Sequence, residues 1–478
     1  MLFEIHAEKN AGEKQTFFYE NEANILTDSN GNQFKFDSTP EHSFSAKTSF
    51  SKDVPLRKSQ LVTTLKIQLG LSCNYSCDYC SQKFVERAPE TSKKDIDQFM
   101  SMLGNLAFDE AKGLKIEFWG GEPLVYWKTL KPLVEAIQQK FSGWRQDPVF
   151  TIITNGSLLT KEICDWLQLT GFIVGISHDG PGQHLRGPDP FDDPEKKKII
   201  LDFYRAMRRH ERISFNACLT ASNTSRKAIH DYFVQLTGDP KVPLGEGNLV
   251  DAYDADGKTN SLQTLQQHFD FRRQAFEEAL ASNGNLGFGA LFQKVEQVGQ
   301  QILGGYKAEW LGQKCGMDNP EVLTVDLRGN VITCQNVSAV ETAPNGESHC
   351  GGNITDMESV ALKSATFWDQ RDNCKSCPVI HACRGSCMFL DGDLWDVSCD
   401  NAYSDNVVFF ALAFERITGY IPYLIKHDSL PLSRQDIFGT LFQHKEKAVK
   451  KSFPIKIVSE KVAEVDGVKV YGQAKVEA

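Results

Sequence analysis

The feature that most constrains this chain is the uneven placement of its 13 cysteines along 478 residues. Three lie within residues 73–80, eight lie within residues 315–399, and Cys164 and Cys218 stand alone between the two groups. The N-terminus lacks a basic segment followed by an apolar one, so we expect no signal peptide and a cytoplasmic protein. Thiols stay reduced in that compartment, and an odd number of cysteines cannot pair completely. The pattern therefore predicts two metal-binding regions rather than a disulfide framework.

The composition is that of an ordinary globular protein. Hydrophobic residues make up 41% and charged residues 24% of the chain, and the formal net charge is −10. The length exceeds what one core usually holds, so we expect two or three domains. An acidic balance disfavours nucleic acid as a partner, and no apolar run reaches the roughly 18–20 residues of a membrane-spanning helix. We therefore predict neither a nucleic-acid nor a membrane partner.

Apolar strands alternate with amphipathic helices from about residue 62 to about residue 300. The expected strands are residues 65–71, 114–119, 149–154, 172–177, 213–220 and 247–250, and the expected helices are residues 92–106, 130–141, 160–169, 194–209, 225–236 and 261–282. Six such units predict an α/β fold with a parallel sheet, closed only in part as a TIM-like (β/α)6 barrel. Ligands of such sheets bind at the C-terminal ends of the strands.

The segments that flank this core have different patterns. Strand-like runs at residues 3–7, 15–20 and 32–36, with a turn at residues 28–32, predict a β-rich N-terminus. Regular periodicity fades between residues 304 and 425, where a small core held by metal clusters is expected. A Lys-rich end follows, with strand-like runs at residues 453–458 and 468–472. The predicted parts are thus residues 1–60, the barrel 61–303, a cysteine-rich domain 304–425 and an extension 426–478.

The first cysteine group has the spacing C-x3-C-x2-C at Cys73, Cys77 and Cys80 and directly follows the first barrel strand. Iron–sulfur clusters favour thiolate ligands, and three thiolates hold three irons of a [4Fe–4S] cube. A structural zinc site wants four protein ligands, and no fourth Cys or His lies nearby in the sequence. The spacing therefore predicts a cluster whose fourth iron is open to a ligand.

This motif resembles that of the radical S-adenosylmethionine (SAM) superfamily, in which an aromatic residue, here Tyr79, precedes the third cysteine. Three further loops match the family's companion motifs, namely Gly120-Gly121-Glu122-Pro123, Thr154-Asn155-Gly156 and Ser177-His178-Asp179-Gly180. The resemblance implies that Glu122 and its loop hold the amino group of SAM, and that Ser177 and Asp179 contact its carboxylate and ribose. It also implies reductive cleavage of SAM to a 5′-deoxyadenosyl radical, which abstracts a hydrogen atom from the substrate.

The second cysteine group resembles the SPASM domain, a C-terminal extension of peptide- and protein-modifying radical SAM enzymes. Its spacing is C-x13-G-x4-C from Cys315 through Gly329 to Cys334, followed by Cys374, Cys377, Cys383, Cys387 and Cys399. The resemblance implies two auxiliary [4Fe–4S] clusters, and thus three clusters in all. Cys374, Cys377, Cys383 and Cys399 would bind the distal cluster, and Cys315, Cys334 and Cys387 the proximal one. Either Cys350 supplies the fourth proximal ligand, or it is a free thiol and that iron is open.

Several polar and thiol side chains remain without a defined role. Cys164 and Cys218 are expected in the core, where a free cysteine packs as a small hydrophobe. Ordinary hydrogen-bonded or surface positions are expected for His178, His184 and His381.

The resemblance leaves the catalytic base open. In anaerobic sulfatase-maturating enzymes an Asp serves as the base directly after the last cysteine of the C-x(9–15)-G-x4-C motif, where this chain has Gln335. A Gln cannot accept a proton at neutral pH. Asp326, Asp391 and Asp393 are alternatives among which the sequence does not select.

The resemblance implies a maturase acting on a peptide. We predict that it forms a thioether, carbon–carbon or ether cross-link in a ribosomally made precursor peptide, because each cross-link removes two hydrogens and auxiliary clusters give the second electron an exit. Formylglycine formation and epimerisation are the alternatives within the family, and a flavodoxin or ferredoxin is the implied reductant. A non-catalytic iron–sulfur electron carrier would explain the cysteines but not the SAM loops.

Overall fold

The computed structural model describes residues 1–9, 12–37 and 44–441, and the backbone of two short strands, Ala463–Val465 and Val468–Val470. These two strands pair antiparallel with each other. The strand expected at residues 453–458 lies outside the described residues.

The described residues form mixed α/β structure, with elements numbered here in chain order. The strands are β1 (Leu2–Lys9), β2 (Glu13–Glu20), β3 (Ile25–Asp28), β4 (Leu56–Arg57), β5 (Thr64–Gln68), β6 (Lys115–Trp119), β7 (Val149–Thr154), β8 (Ile173–Ser177), β9 (Ile213–Leu219), β10 (Leu244–Leu249), β11 (Val322–Asp326), β12 (Asn330–Ile332), β13 (Cys350–Asn353), β14 (Ala361–Leu362), β15 (Ile421–Lys426), β16 (Ala463–Val465) and β17 (Val468–Val470). The α-helices are α1 (Ile96–Met102), α2 (Trp127–Lys140), α3 (Lys161–Leu169), α4 (Pro194–Arg208), α5 (Arg226–Thr237), α6 (Ala255–Thr259), α7 (Leu265–Ala281), α8 (Gly289–Leu303), α9 (Asp372–Lys375), α10 (Ile380–Cys383), α11 (Gly392–Thr418) and α12 (Leu432–Gln435).

The core of the molecule is a nine-stranded sheet in the order β10-β9-β8-β7-β6-β5-β11-β12-β13. Strands β5 to β10 are parallel and adjacent in chain order, with helices between them. The expected partial (β/α)6 barrel is therefore confirmed. Because all six strands run the same way, the loops that follow them meet at one edge.

The sheet continues into the cysteine-rich region through β11. This strand pairs in parallel with β5, from Val322 opposite Thr64 to Asp326 opposite Gln68. Strands β12 and β13 extend the sheet in antiparallel fashion. The C-terminal ends of β5 and β11 consequently lie side by side.

Lys58 ties the segment before the barrel to the loop that follows Cys315. Its Nζ donates hydrogen bonds to the carbonyl oxygens of Met317, Asn319 and Val322 at 2.6, 3.1 and 2.9 Å. Burial lowers the pKa of this amine to about 7. Since the loop's carbonyl oxygens converge on one buried amine, its path into β11 is well defined.

Helix α11, 27 residues long, was not expected, and the prediction that regular structure fades throughout residues 304–425 is wrong there. The helix is buried on almost all sides, so its sequence lacks the alternation of an apolar and a polar face that marks a surface helix. Several of its buried positions are also polar, which weakens the pattern further. Ser398 accepts a hydrogen bond from the Ala252 amide at 2.8 Å, and the Asn401 amide donates to the Val250 carbonyl at 3.1 Å. The polar face of α11 thus holds the chain that leaves β10.

None of the helices in the described ranges combines the length and apolar character that crossing a bilayer requires.

The N-terminal strands β1 to β3 form a second, antiparallel sheet together with β15, in the order β15-β1-β2-β3. The strand expected at residues 32–36 is wrong, since Gln33 makes only an isolated bridge to Thr27. The physical reason is Asp28. Its carboxylate accepts hydrogen bonds from the backbone amides of Asn30 and Asn32 at 2.9 and 2.8 Å, and these bonds stabilise a turn in place of a strand.

This sheet packs on the end of α11 through aromatic rings. The rings of Phe17 and Phe414 are edge to face with centroids 5.0 Å apart, and Phe414 is fully buried. We expect Phe414→Ala to lower the free energy of unfolding by about 3–5 kcal/mol, because it removes a buried ring and leaves a cavity. Denaturant-induced unfolding measures the effect. Leu169→Ala is the control, because Leu169 is 87% exposed, and an equal loss in both variants would contradict the prediction.

Candidate active site

The loops at the C-terminal ends of the barrel strands surround a cavity of about 390 Å³. The thiols of Cys73, Cys77 and Cys80 line it. The residues expected to contact SAM that also line it are Tyr79, Gly120, Gly121, Glu122, Pro123, Thr154, Asn155 and Ser177. The structure therefore brings together, from four separate loops, nearly all of the residues expected to bind the first cluster and SAM.

The Gly120-Gly121 loop packs directly against the loop that carries the cysteines. The Gly121 amide donates to the Gly70 carbonyl at 3.1 Å, and the Glu122 amide donates to the Ser72 carbonyl at 3.0 Å. A Cβ atom added at Gly121 would lie 2.5 Å from the Leu71 carbonyl oxygen. Only glycine allows this approach of two backbones, so the two loops hold each other in place.

Glu122 joins the second loop to the third. It is 2% exposed. Its Oε1 accepts hydrogen bonds from the Leu124 amide at 3.0 Å and the Thr154 hydroxyl at 2.7 Å, and its Oε2 accepts one from the Asn155 amide at 2.7 Å. Burial raises the pKa of this carboxyl, and the hydrogen bonds oppose that rise. Oε2 accepts only one of these hydrogen bonds, so it keeps capacity for one more donor.

A second set of hydrogen bonds links the third loop back to the cysteines. The Asn155 side-chain amide donates to Asn74 Oδ1 at 2.9 Å, and the Asn74 amide donates to the Ser157 hydroxyl at 2.8 Å. Asn74 directly follows Cys73 in the chain, so these bonds orient the start of the cysteine loop.

Asp179 lies behind the cavity wall and is 1% exposed. Its carboxylate accepts hydrogen bonds from the Tyr79 hydroxyl and, at 2.9 Å, from the Cys218 amide, and it forms an ion pair with Arg186 Nε at 3.1 Å. Burial alone would lower the pKa of the Arg186 guanidinium, but Asp179 and Tyr79 hold it above its ordinary value. In this structure Asp179 fixes Tyr79 and Arg186, both of which line the cavity. Its contact with the ribose of SAM stays a prediction.

Cys218 lines the cavity, so the expected core position is wrong for this residue. It alternates along β9 with the fully buried Ala217 and Leu219 and therefore points to the other side of the strand. Its thiol donates to Glu246 Oε2 at 3.2 Å. Cys164, by contrast, is buried in the core as expected, and burial raises the pKa of its thiol to about 12.

Glu246 is a cavity residue that the sequence reasoning missed. The strand was expected to begin at residue 247, whereas β10 begins at Leu244. Glu246 has a φ of 61° in the left-handed region, next to an irregularity in the pairing of β10 with β9. Cβ atoms at the flanking Gly245 and Gly247 would lie 2.2 Å from Asn216 and 2.6 Å from Phe288. The Gly-Glu-Gly triplet near a strand end was the signal that could have found it.

The second cysteine region forms part of the same cavity wall. Lys314, which directly precedes Cys315, and Asn336, which lies two residues after Cys334, line the cavity. The Gln68 side-chain amide at the end of β5 donates to the Gln335 and Val337 carbonyls at 2.8 and 2.7 Å. The chain around Cys334 is therefore held against the strand end that precedes Cys73.

Asp251 and Tyr253, which follow β10, complete the wall on this side. The Ser386 hydroxyl donates to Asp251 Oδ1 at 3.2 Å. Burial would lower the pKa of the Lys314 amine, but Asp251 and nearby thiols hold it above its ordinary value. The sequence reasoning missed Asp251, Tyr253 and Lys314, because none of them belongs to a motif.

The thiols of Cys374, Cys377, Cys383 and Cys399 line a second, narrow cavity between α9, α10 and α11. Four thiols around one enclosed space suit a cluster in which each iron takes one thiolate. In the described part of the chain, no three His, Cys, Asp or Glu side chains gather as ligands of a single metal ion. Cys350 begins β13 opposite Ile332 and lines neither cavity described here.

The three histidines occupy ordinary positions, as expected. His178 is fully buried. Its Nδ1 accepts a hydrogen bond from the Gly180 backbone amide at 3.0 Å, and its Nε2 lies 3.1 Å from Asp189 Oδ1. His381 lies 2.8 Å from the Asn21 carbonyl, and burial lowers its pKa to about 4. His184 is exposed.

The alternative bases Asp326, Asp391 and Asp393 do not line the cavity. The Asp326 carboxylate accepts hydrogen bonds from the backbone amides of Arg328 and Asn330 at 2.8 and 3.0 Å, and these bonds stabilise the turn after β11. Asp391 caps α11, and Asp393 lies in its first turn.

We expect Gly121→Ala to displace the cysteine loop, because the new Cβ would lie 2.5 Å from a backbone carbonyl. The expected result is a lower unfolding temperature and less iron bound after anaerobic reconstitution. Gly104→Ala is the matched control, since a Cβ there meets open space. Wild-type stability and iron content in Gly121→Ala would refute the proposed close packing.

Comparisons with known proteins agree with this geometry. The model of the radical SAM superfamily matches residues 67–243. The radical SAM cyclopropyl synthase TigE of Paramaledivibacter caminithermalis is 24% identical over 358 residues, which cover 70% of this chain and 69% of that protein. A cysteine-type anaerobic sulfatase-maturating enzyme of Clostridium perfringens is 24% identical over 374 residues, which cover 72% of this chain and 94% of that enzyme.

Among solved structures, native anSMEcpe with bound AdoMet and Cp18Cys peptide has a TM-score of 0.54 at 20% identity, covering 75% of this chain and 98% of that chain. This likeness shows a shared fold, and the family match includes β6 to β9 and the loops that carry the cysteines and the residues expected to contact SAM. Residues 67–243 therefore form a radical SAM domain.

Proposed function

We propose that this enzyme is a maturase that uses SAM to install a thioether, carbon–carbon or ether cross-link in a ribosomally made precursor peptide. The observation that carries the proposal is that residues near both cysteine regions form the wall of one cavity. Residues beside Cys315 and Cys334 line the same cavity as Cys73, Cys77, Cys80 and the loops expected to hold SAM. A substrate in this cavity lies between the site that starts the radical chemistry and a region suited to take up an electron.

The donor sets fit the implied cofactors. Cys73, Cys77 and Cys80 would hold the SAM-binding cluster, and Cys374, Cys377, Cys383 and Cys399 the distal auxiliary cluster. Cys315, Cys334 and Cys387 would hold the proximal one, with Cys350 as fourth ligand or that iron open. When bound, the first cluster supplies the electron that cleaves SAM, and the auxiliary clusters accept the electron left after coupling. The proposed parts of the chain follow: residues 1–60, the barrel 61–303, the cluster domain 304–425 and the extension 426–478.

The names of the relatives support peptide and carbon–carbon chemistry. One relative is a cyclopropyl synthase, and one solved neighbour has AdoMet and a peptide bound. For this chain we propose a precursor peptide as substrate and a flavodoxin or ferredoxin as reductant.

Formylglycine formation is the second candidate, favoured by the sulfatase-maturating relatives, one of which is matched over 94% of its length. Gln335 argues against it, since an amide stands where those enzymes carry the Asp base. Both reactions remove electrons from the substrate, so the auxiliary region alone does not separate them.

Coupling also requires a proton acceptor, and Glu246 suits this role among the carboxylates of the cavity. Glu122 already accepts three hydrogen bonds, and Asp251 lies beside a hydroxyl and the Lys314 ammonium. Glu246 accepts a hydrogen bond from the Cys218 thiol, which is a weak donor. Its strained backbone in the left-handed region is the kind of feature that clusters at functional sites.

The test of the proposed function is anaerobic turnover with SAM and dithionite, alone and with short peptides encoded beside the gene. We expect release of 5′-deoxyadenosine and a peptide lighter by two hydrogens per cross-link. Formylglycine would instead exchange a thiol for an aldehyde oxygen, and epimerisation would leave the mass unchanged. The variant Cys73→Ala/Cys77→Ala/Cys80→Ala should release none, whereas Cys164→Ala should match wild type. No 5′-deoxyadenosine from wild type with any peptide would favour the electron carrier.

For Glu246→Gln we expect unchanged release of 5′-deoxyadenosine but about 10²–10⁴-fold slower formation of the cross-linked peptide, because the amide cannot accept the proton. Glu246→Asp should restore part of the rate. Glu296→Gln, at an exposed position on α8, is the control. Wild-type product formation in Glu246→Gln, or loss of SAM cleavage, would exclude the proton-acceptor role.

A further inference from the structure

Arg434 reaches from the segment after β15 back to the four-cysteine cavity. It lies on α12, and its side chain is 12% exposed. Its Nη2 donates to the Cys399 thiol at 3.3 Å, and the guanidinium lines the cavity together with Cys374, Cys377 and Cys383. No sequence motif pointed to it, because it lies 35 residues after Cys399.

The guanidinium is held from several sides by α11, the helix that carries Cys399. Asp400 Oδ1 accepts a hydrogen bond from Nη2 at 2.7 Å. The Tyr403 ring centroid lies 5.2 Å from the Arg434 Cζ atom, and the Tyr403 hydroxyl donates to the Arg434 carbonyl oxygen. Such a fixed geometry keeps the charge at a constant distance from the sulfur.

Other cations near this cavity contact groups other than the ligand sulfurs. Arg272 Nε donates to the Ser404 hydroxyl at 3.1 Å. Arg371 stacks over the Trp395 ring at 3.7 Å, and its Nη2 donates to the Leu390 carbonyl at 2.7 Å. Burial raises the pKa of the Cys377 and Cys399 thiols, and the Arg434 charge opposes that rise. Arg434 is thus the cation that contacts a ligand sulfur directly, whereas Arg371 is engaged with a carbonyl and a ring.

We propose that Arg434 raises the reduction potential of the cluster bound by Cys374, Cys377, Cys383 and Cys399. The inference rests on the proposed function, which assigns that cluster. One electron converts the 2+ cube to the 1+ state, with no bond broken and one negative charge added. A buried cation that donates a hydrogen bond to a ligand sulfur stabilises the added charge.

This assignment gives the C-terminal segment a role in the proposed reaction. Electrons move toward the site of higher potential, so a raised potential makes the distal cluster the favoured destination for an electron removed from the substrate. Arg434 is a positioning and charge-supplying residue in this scheme, and it does not touch the substrate.

The alternative is a purely structural role, in which Arg434 only clamps α12 to α11. The two roles differ in the effect of Asp400. Replacing Arg434 removes a positive charge, whereas Asp400→Asn removes the negative charge that partly cancels it. Only an electrostatic role makes the two substitutions shift the potential in opposite directions.

The experiment is a redox titration of the full-length, reconstituted protein with dithionite and mediators, followed by electron paramagnetic resonance. The signal that is lost in Cys374→Ala identifies the cluster. We expect a more negative midpoint in Arg434→Gln, a near wild-type midpoint in Arg434→Lys and a more positive midpoint in Asp400→Asn. Arg205→Gln, on the exposed face of α4, should leave the midpoint unchanged.

Shifts of Arg434→Gln and Asp400→Asn in the same direction, or no shift in either, would overturn the proposal. If Arg434→Gln does not fold, Asp400→Asn still tests the proposal, because an unchanged or more negative midpoint in that variant would overturn it. Iron analysis distinguishes a failure of the cluster assignment from a failure of the role proposed for Arg434. If Cys374→Ala binds as much iron as wild type, the cluster assignment in the proposed function fails, and the role of Arg434 fails with it.

Discussion

The parallel pairing of β11 with β5 is the constraint on which the rest of the structure depends. It sets Asp326 opposite Gln68 and so brings the chain around Cys334 to the strand end that precedes Cys73. Gln68 then fixes that chain with two hydrogen bonds to backbone carbonyls. A barrel and a separately folded cysteine-rich domain would share a cavity wall only through the docking of their side chains. A continuous sheet makes the shared wall a consequence of backbone pairing.

Inside the barrel, buried carboxylates serve as connectors between loops. Glu122 joins the second loop to the third, and Asp179 joins Tyr79, Arg186 and the end of β9. A carboxylate that accepts several hydrogen bonds away from water is costly to displace, because each donor would lose its partner. The loops that line the cavity are therefore held together by two carboxylates that are themselves almost inaccessible to solvent.

Helix α11 links the cavity to the four-cysteine site. Ser398 and Asn401 hold the chain between Val250 and Ala252, which continues the cavity wall, while Cys399 and Asp400 face the other way toward Arg434. One buried helix thus contacts both sites through adjacent residues. Its polar residues are explained by these partners rather than by exposure to solvent.

The sequence by itself determined the partial barrel, its strand boundaries to within a few residues, and the four motif loops at one side of the cavity. The physical reason is that period-two and period-3.6 patterns and short motifs at strand ends are local signals. Only the tertiary structure decided that β11 joins the barrel sheet, that Cys218 and Glu246 face the cavity, and that Arg434 reaches Cys399. Strand pairing and contacts between residues far apart in the chain depend on how the elements pack. A helix buried on all sides, such as α11, loses the amphipathic pattern from which sequence reasoning works.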